Sequence, residues 1–358
     1  MDKKFHRRDF LKSLTAAAAS LTLPGCTDAI QSKAQKGFPD ILLLFTDDQR
    51  FSAIGALGIE SVKTPNIDKL IRAGTTFTNA HIMGSDGGAV CMPSRAMLLT
   101  GRDLFSLDKS TGSLGQNIPT HHTTLPELLR AKDYETFFAG KWHQDRNSFK
   151  RAFTQADNIF FGGMTYKPFA AKFHHYDSTR GNFKSFTADK HTSNMIADVA
   201  VDFLSRQSNA SKPFFAMASF LAPHDPRTAP ENYHVLYPPE KIDLPANFMP
   251  EHPFDNGEMK IRDEKLADWP RTPEAVKKHI ADYYAMITHL DAQIGHILNA
   301  LEKTGRAKNT IIIFASDNGL ALGQHGLLGK QSLYDHSVRV PLIFTCLLYT
   351  SPSPRDRS

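Results

Sequence analysis

Apolar residues recur along this chain in two registers. The unbroken run 41–45 reads as a strand buried on both faces, and 134–139, 214–221 and 310–315 read as further strands. Between them the spacing changes to that of amphipathic helices. Thr64-Pro65 opens one carrying Ile67, Leu70 and Ile71, which Gly74 closes. Thr124-Leu125-Pro126-Glu127 is a capping box for a helix through Arg130, and 193–204 reads as another. Thr272-Pro273 caps a long helix containing Ile280, Ile287, Leu290, Ile294 and Leu298. Residues 77–82 read as a further strand, and Cys91-Met92-Pro93-Ser94 enters a helix closed near Gly101. The Pro-rich, polar stretch 225–272 predicts long surface excursions, and neither it nor 144–190 carries a readable motif.

Strands alternating with helices specify an α/β fold, an open and mostly parallel sheet flanked by helices on both faces. Four polar clusters fall just past strand carboxyl ends, where such sheets place their sites. They are Asp47-Asp48, Gly140-Lys141-Trp142-His143, Ala222-Pro223-His224-Asp225 and Ser316-Asp317-Asn318-Gly319.

Composition narrows the function. The 358 residues are 41% hydrophobic, enough for a sizeable core. The net charge of +5 is concentrated at the ends, chiefly in Lys3, Lys4, Arg7, Arg8 and Lys12. The body carries no basic stripe, which argues against nucleic acid as a partner. Residues 1–26 read as an export segment. Arg7-Arg8-Asp9-Phe10-Leu11-Lys12 resembles a twin-arginine signal, and Leu23-Pro24-Gly25-Cys26 resembles a lipoprotein box. Both lipidation at Cys26 and plain cleavage nearby fit, so membrane attachment is expected only through an N-terminal lipid anchor. A polar tether, 27–38, follows. Residues 346–358 lack periodicity and caps and read as a non-native, adapter-derived tail. With Cys26 and Cys346 at the ends, Cys91 is the one cysteine of the body, so disulfides are not expected to hold the fold.

The clusters suggest a chemistry. Asp47, Asp48, Asp317 and Asn318 are hard oxygen donors that suit calcium or magnesium better than zinc. Lys141, His143, His224 and Lys330 would add a cationic pocket for a tetrahedral oxyanion. The segment Cys91-Met92-Pro93-Ser94-Arg95, continued by Thr100-Gly101-Arg102, resembles the signature of the type I, formylglycine-dependent sulfatases of the alkaline phosphatase-like superfamily. The clusters above, and Gly329-Lys330 through Arg339-Val340-Pro341, follow in that family's order, so the resemblance covers 39–345.

The resemblance implies a catalytic domain over 39–345 that hydrolyses sulfate esters, with sulfated carbohydrate favoured over smaller esters. It implies Ca2+ on Asp47, Asp48, Asp317 and Asn318, completed by a formylglycine that a maturation enzyme makes from Cys91. Arg95 would hold the formylglycine hydroxyls with His143 as a hydrogen-bonding partner, while Lys141, His224 and Lys330 would grip the sulfate. The export segment 1–26 implies the bacterial periplasm or cell surface. Two departures stand out. Gln144 replaces a common glycine and is expected at the pocket rim, and the family continues into more strands and a smaller C-terminal domain. The chain is therefore expected to be incomplete, with an apolar sheet edge exposed after Phe344. The alternatives are a phosphomonoester or phosphonate hydrolase of the same superfamily, or an inactive fragment that at most binds sulfated ligands.

Overall fold

A computed structural model describes residues 38–88, 90–107 and 115–346. The export segment, all of the tether but Phe38, and the tail beyond Cys346 lie outside them. The strands are β1 Asp40–Thr46, β2 Thr75–Thr76, β3 Glu135–Lys141, β4 Gln155–Phe160, β5 Lys172–Asp177, β6 Asn182–Thr187, β7 Phe214–Ser219, β8 Thr310–Ser316 and β9 Leu342–Cys346. The helices are α1 Pro65–Ala73, α2 Cys91–Thr100, α3 Leu125–Arg130, α4 Arg146–Ala152, α5 Thr192–Ser205, α6 Glu231–His234, α7 Pro273–Lys303 and α8 Asp335–Val338.

All nine strands form one sheet, in the order β2-β9-β8-β1-β7-β3-β4-β5-β6. Its centre, from β8 to β4, is parallel, and both flanks are antiparallel. β1, β7 and β8 are almost wholly apolar between their ends because both faces are covered. On β1, Leu42 and Leu44 pack in a layer with residues of α1, α5 and α7. Leu43 and Phe45 point the other way, into a layer with residues of α2 and α4 and with Trp142. In α7, Ile280, Ile287, Leu290 and Ile294 are buried and Thr272 caps the helix, accepting from the Ala275 amide at 3.2 Å. Among the described residues no helix is long and apolar enough to cross a membrane.

Several expectations are corrected. Residues 77–82 form no strand; β2 comes earlier, His81 makes only an isolated bridge to Arg339, and Phe77 is exposed. The stretch 225–272 is largely irregular, yet it buries Tyr237, Ile242, Asp263, Glu264 and Arg271. Cys346, assigned to the tail, is the last residue of β9 and faces Ile311 of β8. The edge expected to lie open after Phe344 is partly met by β2, whose Thr75 and Thr76 pair with Phe344 and Ile343.

Candidate active site

Parallel strands deliver the site from one end of the sheet. β1 ends in Asp47 and Asp48, β8 in Asp317 and Asn318, β3 in Lys141 followed by His143, and β7 leads to His224. Close packing of β3 on β7 requires Gly140. Its φ is +107°, and a side chain there would bring Cβ to 1.8 Å from the Ser219 carbonyl oxygen. Cys91 opens α2, which begins without a side-chain cap, and the helix also supplies Arg95. Asp48 (φ +66°) and His143 (φ +61°) take left-handed conformations that are uncommon outside glycine but that Asp and His tolerate better than most residues.

The structure brings the acidic and basic groups together around the thiol. Cys91 Sγ lies 3.3 Å from Asp47 Oδ1, 3.9 Å from Asp48 Oδ1 and 3.2 Å from Lys330 Nζ. Asn318 Nδ2 lies 3.6 Å from the same sulfur. Lys330 also binds Asp48 Oδ1 at 2.5 Å, and Lys141 pairs with Asp47. His224 Nε2 lies 3.7 Å from Asp48 Oδ2. Its Nδ1 is 2.8 Å from the Asp225 carbonyl oxygen, so Nδ1 carries the proton and Nε2 faces the cluster as an acceptor in the neutral ring.

Arg95 is anchored between the strand ends. Its Nε donates to Asp317 Oδ2 at 3.0 Å and its Nη1 to the Lys141 carbonyl and Ser219 Oγ, both at 2.8 Å, while Nη2 is ion-paired with Asp317 and Asp47 at 2.9 and 3.7 Å without a hydrogen bond. No hydrogen bond joins it to Cys91. It acts here as a strut between β3, β7 and β8. His143 is placed beside the cluster, but its Nδ1 is buried without a hydrogen-bond partner. Gln144 is buried and not at a rim, and its Nε2 donates to the Met92 carbonyl at 2.9 Å, bracing α2.

Burial and charge set the protonation. Burial pushes the Asp48 carboxyl well above its ordinary range; Lys330 opposes this, and Asp47 and Asp317 add to it. Burial, followed by Asp47, also raises Asp317. At Asp47 burial acts upward too, but Lys141, Arg95 and Lys330 outweigh it and the pKa is lowered. Burial, then Asp317 and Asp47, drives the Cys91 thiol well up. Burial works against a charged Lys330, yet Asp48, Cys91 and Asp47 more than compensate and hold it protonated. Burial and the two lysines keep His224 neutral.

Asp47, Asp48, Cys91 and His224 each offer a ligand atom within 4.8 Å of the others, a set that can hold a metal ion. Asp317 spends its carboxylate on Arg95, on the Asp48 amide at 3.1 Å and on Asn318 Nδ2 at 2.7 Å. Asn318 Oδ1 is buried with no hydrogen-bond partner. An orphaned amide oxygen beside crowded carboxylates fits a hard divalent cation.

Residues 39–345 match the sulfatase family. The chain belongs to that family. This sulfatase-family chain is 29% identical over 338 residues to the ulvan-active sulfatase of Formosa agariphila, covering 92% of this chain and 60% of that protein. It is 31% identical to the iduronate 2-sulfatase of Mus musculus, covering 94% and 65% of the two chains. It thus spans about three-fifths of the length of these curated relatives. The yidJ protein of Bacteroides fragilis shares its fold, with a TM-score of 0.71 at 24% identity over 89% of this chain and 70% of that one.

Several functional neighbours were missed by sequence reasoning. Ser94 Oγ donates to the Asp317 carbonyl at 2.6 Å, Ser219 Oγ to the Lys141 carbonyl at 2.7 Å, and Tyr283 Oη to the Asp48 carbonyl at 2.8 Å. Ser94 lay inside the signature and could have been singled out. Ser219 and Tyr283 carry no local signal, since only the fold brings them to the site.

Proposed function

We propose that the protein hydrolyses sulfate esters, with a sulfated carbohydrate as substrate, through a formylglycine made from Cys91 and with calcium held by Asp47, Asp48, Asp317 and Asn318. The observation that carries this reading is the position of Cys91 Sγ, buried at a helix start among two carboxylates and a lysine ammonium. The aldehyde, once hydrated, supplies one hydroxyl for attack on sulfur and a second whose deprotonation releases sulfate. Calcium on Asp47, Asp48, Asp317 and Asn318 would, when bound, lower the pKa of the attacking hydroxyl and offset charge on the sulfuryl oxygens.

The chain's own residues do the rest. Lys141 and Lys330 present ammonium groups to the sulfate oxygens. Lys330, whose ammonium reaches Asp48 and Cys91, would stand towards the leaving-group oxygen as a proton donor to the departing alkoxide. His224, with Nε2 facing the cluster, would stand with Lys330 towards the leaving-group oxygen. Arg95 fixes Asp317 and so the acidic end of the pocket.

The carbohydrate assignment is supported by relatives named for ulvan and iduronate sulfate esters, and by a proposed export to the periplasm or cell surface through residues 1–26. The maturation enzyme and the twin-arginine machinery are the expected partners, and 39–345 is proposed as the catalytic domain of a longer enzyme. A phosphate or phosphonate monoester presents a similar tetrahedral oxyanion, so the decisive comparison is turnover of matched aryl sulfate, phosphate and phosphonate esters. It is made after co-expression with a maturation enzyme. Preferred sulfate turnover is expected, and preferred phosphoryl turnover would transfer the assignment to the phosphohydrolase branch.

A further inference from the structure

The stretch 225–272 carries no sequence motif, yet three consecutive residues near its end tie down both catalytic loops. Arg262 pairs with Asp225, the residue after His224, through Nη2 to Oδ1 at 3.1 Å, and it also pairs with Asp263. Asp263 Oδ2 accepts from Gln331 Nε2 at 2.9 Å. Glu264 is buried, and its carboxylate is fully engaged from the other side of Lys330. Its Oε1 accepts from the Gly329 amide at 2.8 Å, and its Oε2 accepts from the Leu328 amide at 3.0 Å and from Arg271 Nη2 at 2.6 Å.

Arg271 completes the grip. It is buried, stacks 3.7 Å over the Trp269 ring, and donates from Nε to the Gly326 carbonyl at 3.2 Å. The pair therefore clasps 326–329 at both a carbonyl and two amides. Gly329 is shaped to this contact, because a Cβ there would lie 2.8 Å from Glu264 Oε1. A buried carboxylate is costly unless its acceptor sites are filled. Here they are filled by the backbone of the segment that ends in Lys330. That segment has no strand or long helix to stiffen it, and its register decides where Nζ arrives.

We propose that Glu264, braced by Arg271, is a positioning residue for Lys330. It fixes the Leu328 and Gly329 amides so that the Lys330 ammonium is delivered to residue 91 and Asp48. The consequence for catalysis rests on the sulfate-ester reading; the structural claim does not. Two measurements on the full chain separate them.

The first is amide hydrogen exchange in Glu264→Gln, which keeps the shape and removes the charge. Exchange at Leu328 and Gly329 should accelerate by about tenfold or more, with β1 and β8 unchanged. Unchanged exchange at both amides would overturn the proposal. The second is a double-mutant cycle with Lys330→Ala, read as kcat/KM on an aryl sulfate. Glu264→Gln should cost roughly tenfold when Lys330 is present and less than about twofold when it is absent. Equal losses in both backgrounds would mean a general structural role and would overturn the proposal. If Glu264→Gln does not fold, Gly329→Ala displaces the same carboxylate from the opposite side and must give the same two patterns. If the parent chain turns over no sulfate ester, the exchange result alone decides the positioning claim.

Discussion

Lys330 shows how much a single side chain draws from its surroundings here. Its ammonium reaches Asp48 and Cys91 together, at 2.5 and 3.2 Å, from a loop that has little structure of its own. Because it is not a metal ligand, its loss should be separable from loss of calcium. Lys330→Ala is expected to lower kcat/KM for an aryl sulfate by at least about tenfold at saturating calcium. Near-parental activity in that variant would remove Lys330 from the mechanism. The residues placed by the signature and by strand ends, Asp47, Asp48, Cys91, Lys141, His224, Asp317 and Asn318, were legible because each sits beside a strong local pattern. Arg95 was legible as a site residue, but its partners were not. Its guanidinium goes to Asp317, Lys141 and Ser219, which only the register of three strands brings together.

Helix α1 shows a different limit at the level of the element. Its start was readable from Thr64-Pro65, yet Thr64 does not cap it, because Thr64 Oγ1 donates to Asp68 Oδ1 at 2.7 Å. Asp291, far away on α7, takes over. It accepts from the Asn66 and Ile67 amides at 3.1 and 2.8 Å and from Asn66 Nδ2 at 2.9 Å. Burial still pushes its pKa up to about 6. Between its unfolded value near 3.9 and that folded value, the native state binds more protons than the unfolded one. Stability from this group is therefore greatest below about pH 4 and is lost as pH rises through about 6. Urea unfolding of the parent and Asp291→Asn should show the difference between them shifting by roughly 2 kcal/mol in the parent's favour from pH 7 to pH 4. A flat difference would contradict the assignment. The flanking strands were the least legible elements. β5 and β6 alternate polar and half-buried residues at the rim of the sheet, and β2 is only two residues long. None of the three gives the apolar run that announced β1, β7 and β8.

For the whole molecule, the alternation of strand and helix was enough to specify the layered α/β plan, because apolar runs and amphipathic spacing are local properties. The segment 225–272 was not readable in this way. Its buried Asp263, Glu264 and Arg271 are isolated polar residues whose partners lie on other loops. One plan nonetheless accounts for the site: a parallel sheet converging its carboxyl ends on residue 91. The most direct test is peptide mass spectrometry of the segment around Cys91 after co-expression with a competent maturation enzyme. The account predicts that the thiol is replaced by an aldehyde, and finding only unmodified cysteine would contradict it.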